Sequence, residues 1–222
     1  MYQFLTTNNF NINAADYLNH SAAFSNRWHK MKSKSKYLMI GASLILLLVF
    51  LFPIWNIDLE APQYPEGIGL RIWVNKMTGA KEFDLKNLNG LNHYIGMKPI
   101  EPDTIQELKY MPFIIAFFIG SGLLVSFLNR KFIFVWIALL LIIMSVGLYD
   151  FYMWGYDYGH NLNPSAPIKV PGMSYQPPVI GTKKLLNITA TSLPGAGSIV
   201  IFLSASLAIV SFIIDKRGNK EK

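Results

Sequence analysis

The chain has 222 residues, of which 52% are hydrophobic and only 15% charged, with a formal net charge of +7. A soluble domain of ordinary composition carries about 25% charged residues, so an average globular protein is excluded. The sequence has no cysteine, which excludes disulfides and thiolate metal sites.

The first 36 residues form a polar tail, rich in Asn, Ser and Thr up to residue 26 and basic after it. Four charge-free runs follow, Leu38–Trp55, Tyr110–Leu128, Phe132–Tyr149 and Leu193–Ile214, each of 18 residues or more. A bilayer core of about 30 Å needs about 20 such residues in a helix. The expected organisation is a cytoplasmic tail (1–36), a first span at 37–56, an outer loop at 57–109 and a second span at 110–129. A third span at 132–150, an outer loop at 151–193, a fourth span at 194–214 and a cytoplasmic tail at 215–222 complete it. The fold class expected is an all-α membrane protein, four transmembrane helices carrying two structured loops outside the cytoplasm.

Charge sets the expected orientation. The two tails and the Asn129-Arg130-Lys131 link hold eleven Lys and Arg against three acids; the outward residues 56–109 and 150–194 hold nine against ten. Cytoplasmic segments collect Lys and Arg, so both termini are placed in the cytoplasm. The high pI is thus a topological signal, and nucleic acid is not an expected partner. The first span, with a long polar segment before it and no small-residue cleavage site after it, reads as a signal anchor.

In the first loop, Gly69–Met77 alternates and is rich in β-formers, Thr78-Gly79-Ala80 is a turn candidate, and Lys81–Leu85 returns as a second strand. Together they predict a small β-hairpin. Asn89-Gly90 is a further turn signal. Pro102, Asp103 and Gln106 mark a helix start leading into the second span, and Pro112 is a candidate kink. The second loop opens with an aromatic belt from Tyr149 to Tyr158 and then becomes proline-rich, from Pro164 to Pro194, as an irregular strap.

No phosphate-binding glycine loop, HExxH, CxxC or nucleophile elbow is present. The spans contain no internal Asp, Glu, Lys, Arg or His, the nearest being Asp150 at the outer edge of the third, which argues against a pump or an ion-coupled transporter. No catalytic residue is assigned and no enzyme activity is expected. Chemistry outside the membrane is concentrated in His and Met. His93 with Met97 lies in the first loop, and His160 with Met153 and Met173 in the second; His20 and His29 lie in the N-terminal tail. Imidazole and thioether together suit copper, Cu(I) in particular. If the third helix continues outward, Asp150, Met153, Asp157 and His160 share one stripe. If residues 92–97 are helical, His93 and Met97 share a face. The candidate metal ligands are therefore His93, Met97, His160 and Met173, with Asp157 as a second group that orients a histidine. Met77, on a strand, reads as packing.

Three stretches, YPEGIGLRIWVNKMTG (64–79), LNGLNHYIGMKPIEP (88–102) and PGMSYQPPVIG (171–181), resemble small four-span membrane proteins of Bacteroidetes-type bacteria. Those proteins are encoded beside the atypical, clade II nitrous oxide reductase. The resemblance implies an inner-membrane accessory role in denitrification, in copper supply to, or maturation of, that periplasmic reductase. It implies no catalytic residues. Two alternatives stand beside it: a metal-free assembly or docking module, and a subunit of a quinol or electron-transfer complex.

Overall fold

A computed structural model describes residues 31–168, 172 and 174–217 of the chain. The expectations for the N-terminal tail, with His20 and His29, for residues 169–171 of the strap, for Met173 and for residues 218–222 fall outside these residues.

Four helices are long and apolar enough to cross a membrane. The first is α1 (Ser33–Ile45), continued by a tighter turn over Leu46–Leu51. A short helix, α2 (Asp84–Ile95), precedes the second apolar helix, α3 (Glu107–Val125), through which Pro112 is accommodated. The third, α4 (Arg130–His160), has 31 residues and the fourth is α5 (Ala196–Arg217). Each is hydrophobic around its whole circumference, as expected of a helix that meets lipid or core on every side. Phe113, Phe117, Leu124, Ile142, Val146 and Phe202 all point away from the bundle and are exposed in the isolated chain.

The helices close around an apolar core that includes Met39, Leu46, Phe118, Ile133 and Leu140, with small residues and hydrogen bonds at their closest seams. Between α1 and α5, Ser211 Oγ donates to the Ser35 carbonyl at 2.8 Å and Ser204 Oγ to the Ala42 carbonyl at 2.6 Å. Hydrocarbon gives apolar helix faces no reason to associate, so such seams use close backbone approach and hydroxyl bonds. At the α1–α3 contact, Gly122 faces Ser43, where an added Cβ would lie 2.2 Å from the serine oxygen. Trp136 of α4 donates its indole N–H to the Phe118 carbonyl of α3 at 3.1 Å.

The fold class departs from the all-α expectation. Both long loops contribute to one five-stranded antiparallel sheet, of order β3-β2-β1-β5-β4, so the protein is a mixed α/β structure. The strands are β1 (Trp55–Ala61), β2 (Tyr64–Ile72), β3 (Met77–Gly79), β4 (Gly181–Leu185) and β5 (Ile188–Pro194). The hairpin expected from Gly69–Met77 and Lys81–Leu85 does not form; the main hairpin of the first loop is β1 with β2. The residues placed in the first turn, Thr78 and Gly79, form the short edge strand β3. Lys81–Leu85 does not return as a strand: the Asp84 carboxylate accepts the N–H of Gly69 at 2.8 Å and of Lys81 at 3.1 Å, and α2 begins there. Asn89 and Gly90 lie inside α2, where the Asn89 side chain bonds the backbone of Ile100 in both directions.

The central pairing is between the loops. β1 runs antiparallel to β5, with Ile57 opposite Ser192 and Glu60 opposite Thr189. β5 carries β-branched Ile188, Thr189 and Thr191 alternating with buried Ala190 and Ser192, a pattern suited to a pleated, half-buried surface. It was obscured by the prolines around it. Leu185 and Ile188 pair across a two-residue turn, at which Leu186 takes a left-handed φ of 56°. β1 follows directly on the first apolar helix and β5 leads directly into α5, so the sheet is rooted in two adjacent helices. Gly195 secures that root: its N–H donates to the Ile54 carbonyl at 2.9 Å, and a Cβ there would meet the Pro53 carbonyl at 2.3 Å.

One face of the sheet is apolar. Ile57, Ile68, Leu70 and Ile72 pack with Leu88 of α2 and with Phe151, Trp154 and Tyr158 of α4. At 1.5 Å per residue α4 is about 46 Å long, more than a bilayer core requires. Its last turns therefore leave the bundle and become a wall of the cap.

Candidate functional site

The continuation of α4 through His160 places Asp150, Met153, Asp157 and His160 on one helix at the expected spacing. The side of α4 toward the sheet carries Phe151, Trp154 and Tyr158, in a run of rings that starts at Trp55: Trp55 to Phe151 is 5.2 Å and Trp154 to Tyr158 is 4.4 Å. The other side carries exposed Tyr149, Tyr152, Met153 and Tyr156.

His160 is exposed at the tip. Its ring stacks on Tyr156 at 3.9 Å between centroids, and Nδ1 lies 3.0 Å from the Tyr156 carbonyl. A carbonyl only accepts, so Nδ1–H donates to it, and in the neutral imidazole Nε2 keeps its lone pair. The group that holds the His160 ring is thus a backbone carbonyl. The carboxylate of Asp157 is committed elsewhere, to Lys98 Nζ at 2.7 Å and to the Asn161 amide. These two bonds, that from Lys98 foremost, hold the Asp157 carboxyl below the ordinary carboxylate range.

His93 and Met97 do not share a helical face. The helix stops at Ile95 because Gly96 adopts φ +82°, and the Met97 N–H closes the end on the Asn92 carbonyl at 2.9 Å. Such left-handed glycine ends are a usual way to stop a helix. His93 remains on the last turn, exposed, with its ring edge toward Tyr94. Met97 is turned inward and lines an apolar cavity. Met173 lies outside the described residues. Among the described residues no group of three or more His, Cys, Asp or Glu is close enough to hold a metal ion. Any metal held here would rest on the isolated imidazoles and on thioether sulfur.

The two loops meet at this corner as well as in the sheet. Asn163 N–H donates to the Gly96 carbonyl at 2.8 Å, Ile168 N–H to the Tyr94 carbonyl at 2.9 Å, and Tyr158 Oη to the Pro99 carbonyl at 3.3 Å. Gly96 is required here twice over, since a Cβ would also stand 2.9 Å from the Ala166 methyl. Burial in this corner pushes the Tyr158 phenol up from its ordinary value, which keeps it a donor.

Behind the corner is a cavity of about 70 Å³, partly open, between the sheet, α2, the end of α4 and the second loop. Leu59, Leu88, Met97, Trp154, Tyr158 and Tyr175 are among its walls. The sequence pointed to His93 and His160 but not to this space. Its walls come from residues far apart in sequence, and only the pairing of β1 with β5 assembles them. Compared with protein-family models and with curated proteins, the chain matches none.

Proposed function

We propose that the protein is a non-enzymatic accessory protein of a bacterial inner membrane, with both termini cytoplasmic and a cap outside that receives cargo or a periplasmic partner. The observation that carries this reading is the joining of both loops into one sheet rooted in the first and fourth apolar helices. Such a cap is a fixed platform at the membrane surface. The orientation is supported by charge: Lys34, Lys36, Arg130, Lys131, Lys216 and Arg217 all lie at helix ends away from the sheet, where the excess of Lys and Arg marks the cytoplasmic side.

The cargo we propose is copper, destined for a periplasmic copper enzyme such as nitrous oxide reductase. Three features support it: the resemblance of the loops, the exposed imidazoles His93 and His160, and the open Nε2 of His160. In this reading Met97 and Met173 supply thioether sulfur as the ion is passed on, a ligand type that favours Cu(I). The test is Cu(I) competition against a chromogenic chelator with purified protein. The wild type is expected to retain copper, and the His93→Ala/His160→Ala double variant to lose at least about tenfold in affinity, since these two imidazoles are the nitrogen ligands of the proposed site. Equally poor binding by both rejects copper. The exposed tyrosines of α4 then favour a metal-free docking module, to be recognised by co-purification of a periplasmic partner that survives loss of all outer His and Met.

A further inference from the structure

α4 uses only one of its sides within the chain. Ile133, Trp136 and Leu140 are buried in the bundle, and Phe151, Trp154 and Tyr158 pack against the sheet. The opposite side is bare along the length of the helix. Val135, Ile142, Val146 and Tyr149 are each at least half exposed, and Tyr152, Met153 and Tyr156 more than two-fifths exposed. At 3.6 residues per turn these seven lie within about 60° of one line, which ends at His160. Lipid covers the inner part of this stripe. A bilayer core takes about 20 residues of helix, so a span that starts near Lys131 leaves it near Phe151. Tyr152 and Met153 then stand at headgroup level, Tyr156 at its outer limit and His160 beyond it. A contiguous apolar strip that continues out of the core marks an interaction surface, and Tyr and Met are favoured at the centre of interfaces.

We propose that a second copy of this chain covers the stripe, so that the protein is a parallel homodimer joined along α4 from Val135 to Tyr156. Charge, topology and area select this occupant. The stripe carries no charged side chain. The acids of this stretch, Asp150 and Asp157, lie about 100° and 80° around the helix from Tyr149, and Asp157 is paired with Lys98. Two such stripes meet without repulsion. Copies of one chain share one topology, so their α4 helices run parallel and the stripe faces itself across a two-fold axis, as an isologous contact requires. Ala138 and Ser145, seven residues apart on the same line, leave room for close backbone approach within lipid. At about 200 Å² for a residue of this size, the seven residues with Phe134 expose about 800 Å² per chain, the share one partner gives to an interface of standard size. Pairing also brings the His160 imidazoles of two copies to one end of the seam. That consequence bears on the copper reading; the pairing itself does not rest on it.

The chain has no cysteine, so single cysteines report neighbours. Full-length Tyr149→Cys and Tyr156→Cys proteins, in native membranes washed with a copper chelator, are treated with a short bis-maleimide. Phe113→Cys on α3 and Ile199→Cys on α5 serve as comparisons. Both residues lie near the cap end of the bundle, and at 74% and 57% exposure they are as open as the stripe. Each stripe position is expected to give at least about tenfold more cross-linked dimer than either comparison, a preference of about 1.4 kcal/mol. Adding Tyr149→Glu to Tyr156→Cys sets like charges face to face. The dimer yield is then expected to fall to the comparison level, while the unfolding midpoint in detergent stays close to that of Tyr156→Cys alone. Equal yields at all four positions, a yield that Tyr149→Glu leaves undiminished, or a stripe cross-link to a chain of another mass overturns the proposal. The chelator removes copper, so the result is independent of the Cu(I) competition.

Discussion

At the scale of single residues, the corner where the loops meet is held by few bonds, and one is titratable. Asp157 pairs with Lys98 at 2.7 Å and takes the Asn161 amide as well. Its folded pKa is depressed, chiefly by the bond from Lys98. A depressed carboxylate contributes stability above its unfolded pKa, and that contribution is lost as pH falls through the folded pKa. Thermal unfolding of Asp157→Asn should therefore show a lower midpoint than wild type near neutral pH, with the gap closing below the ordinary carboxylate range. A gap that stays constant down to that range would show that the pair does not act through charge. The pair is exposed on both sides, so the effect is expected to be small. At this scale the sequence was legible only in part. The residues with metal-ligand chemistry could be named, but not their directions. A single left-handed glycine, Gly96, parts His93 from Met97, and nothing in an HxxxM spacing reveals that the helix ends between them.

At the scale of elements, the apolar helices were the most legible, because a charge-free run of that length has few other uses. The sheet was the least. The signal for β2 was read as Gly69–Met77, yet the strand begins at Tyr64 and ends at Ile72. β5 was missed within a proline-rich loop, although Ile188-Thr189-Ala190-Thr191-Ser192 alternates as a half-buried strand does. Strand signals are short, and their partners are remote: β1 and β5 are separated by two of the four apolar helices and by α2. Asn89-Gly90 misled in the opposite sense, because tertiary contacts of Leu88 and Asn92, both buried, outweigh a local turn preference. Close helix approach gives an element-scale test. Gly122→Leu should destabilise the bundle by about 1–3 kcal/mol through overpacking, because its Cβ would strike Ser43. Gly120→Leu, two residues away and with nothing within 4 Å of its added Cβ, should leave the unfolding midpoint in detergent close to wild type. Equal effects of the two would mean that α1 and α3 do not meet at Gly122.

At the scale of the whole molecule, everything proposed depends on a cap that is one structure and stands outside the cytoplasm. The sheet unites loops that the sequence presents as separate, and its root in α1 and α5 fixes it at one end of the bundle. Both points can be tested together, because the chain contains no cysteine. Glu60 of β1 and Thr189 of β5 face each other across the central pair. Opposed residues in an antiparallel pair have Cα atoms about 4.5–5.5 Å apart, within the range a disulfide bridges. Disulfides persist in the periplasm and not in the cytosol. In growing cells the Glu60→Cys/Thr189→Cys protein should therefore form an intramolecular disulfide without added oxidant, seen as a reducible mobility shift after thiols are blocked. The Glu60→Cys/Lys183→Cys protein, whose second cysteine lies one strand further away on β4, should not. Free thiols in both proteins would contradict the account, showing that the loops do not pair or that the cap faces the cytoplasm.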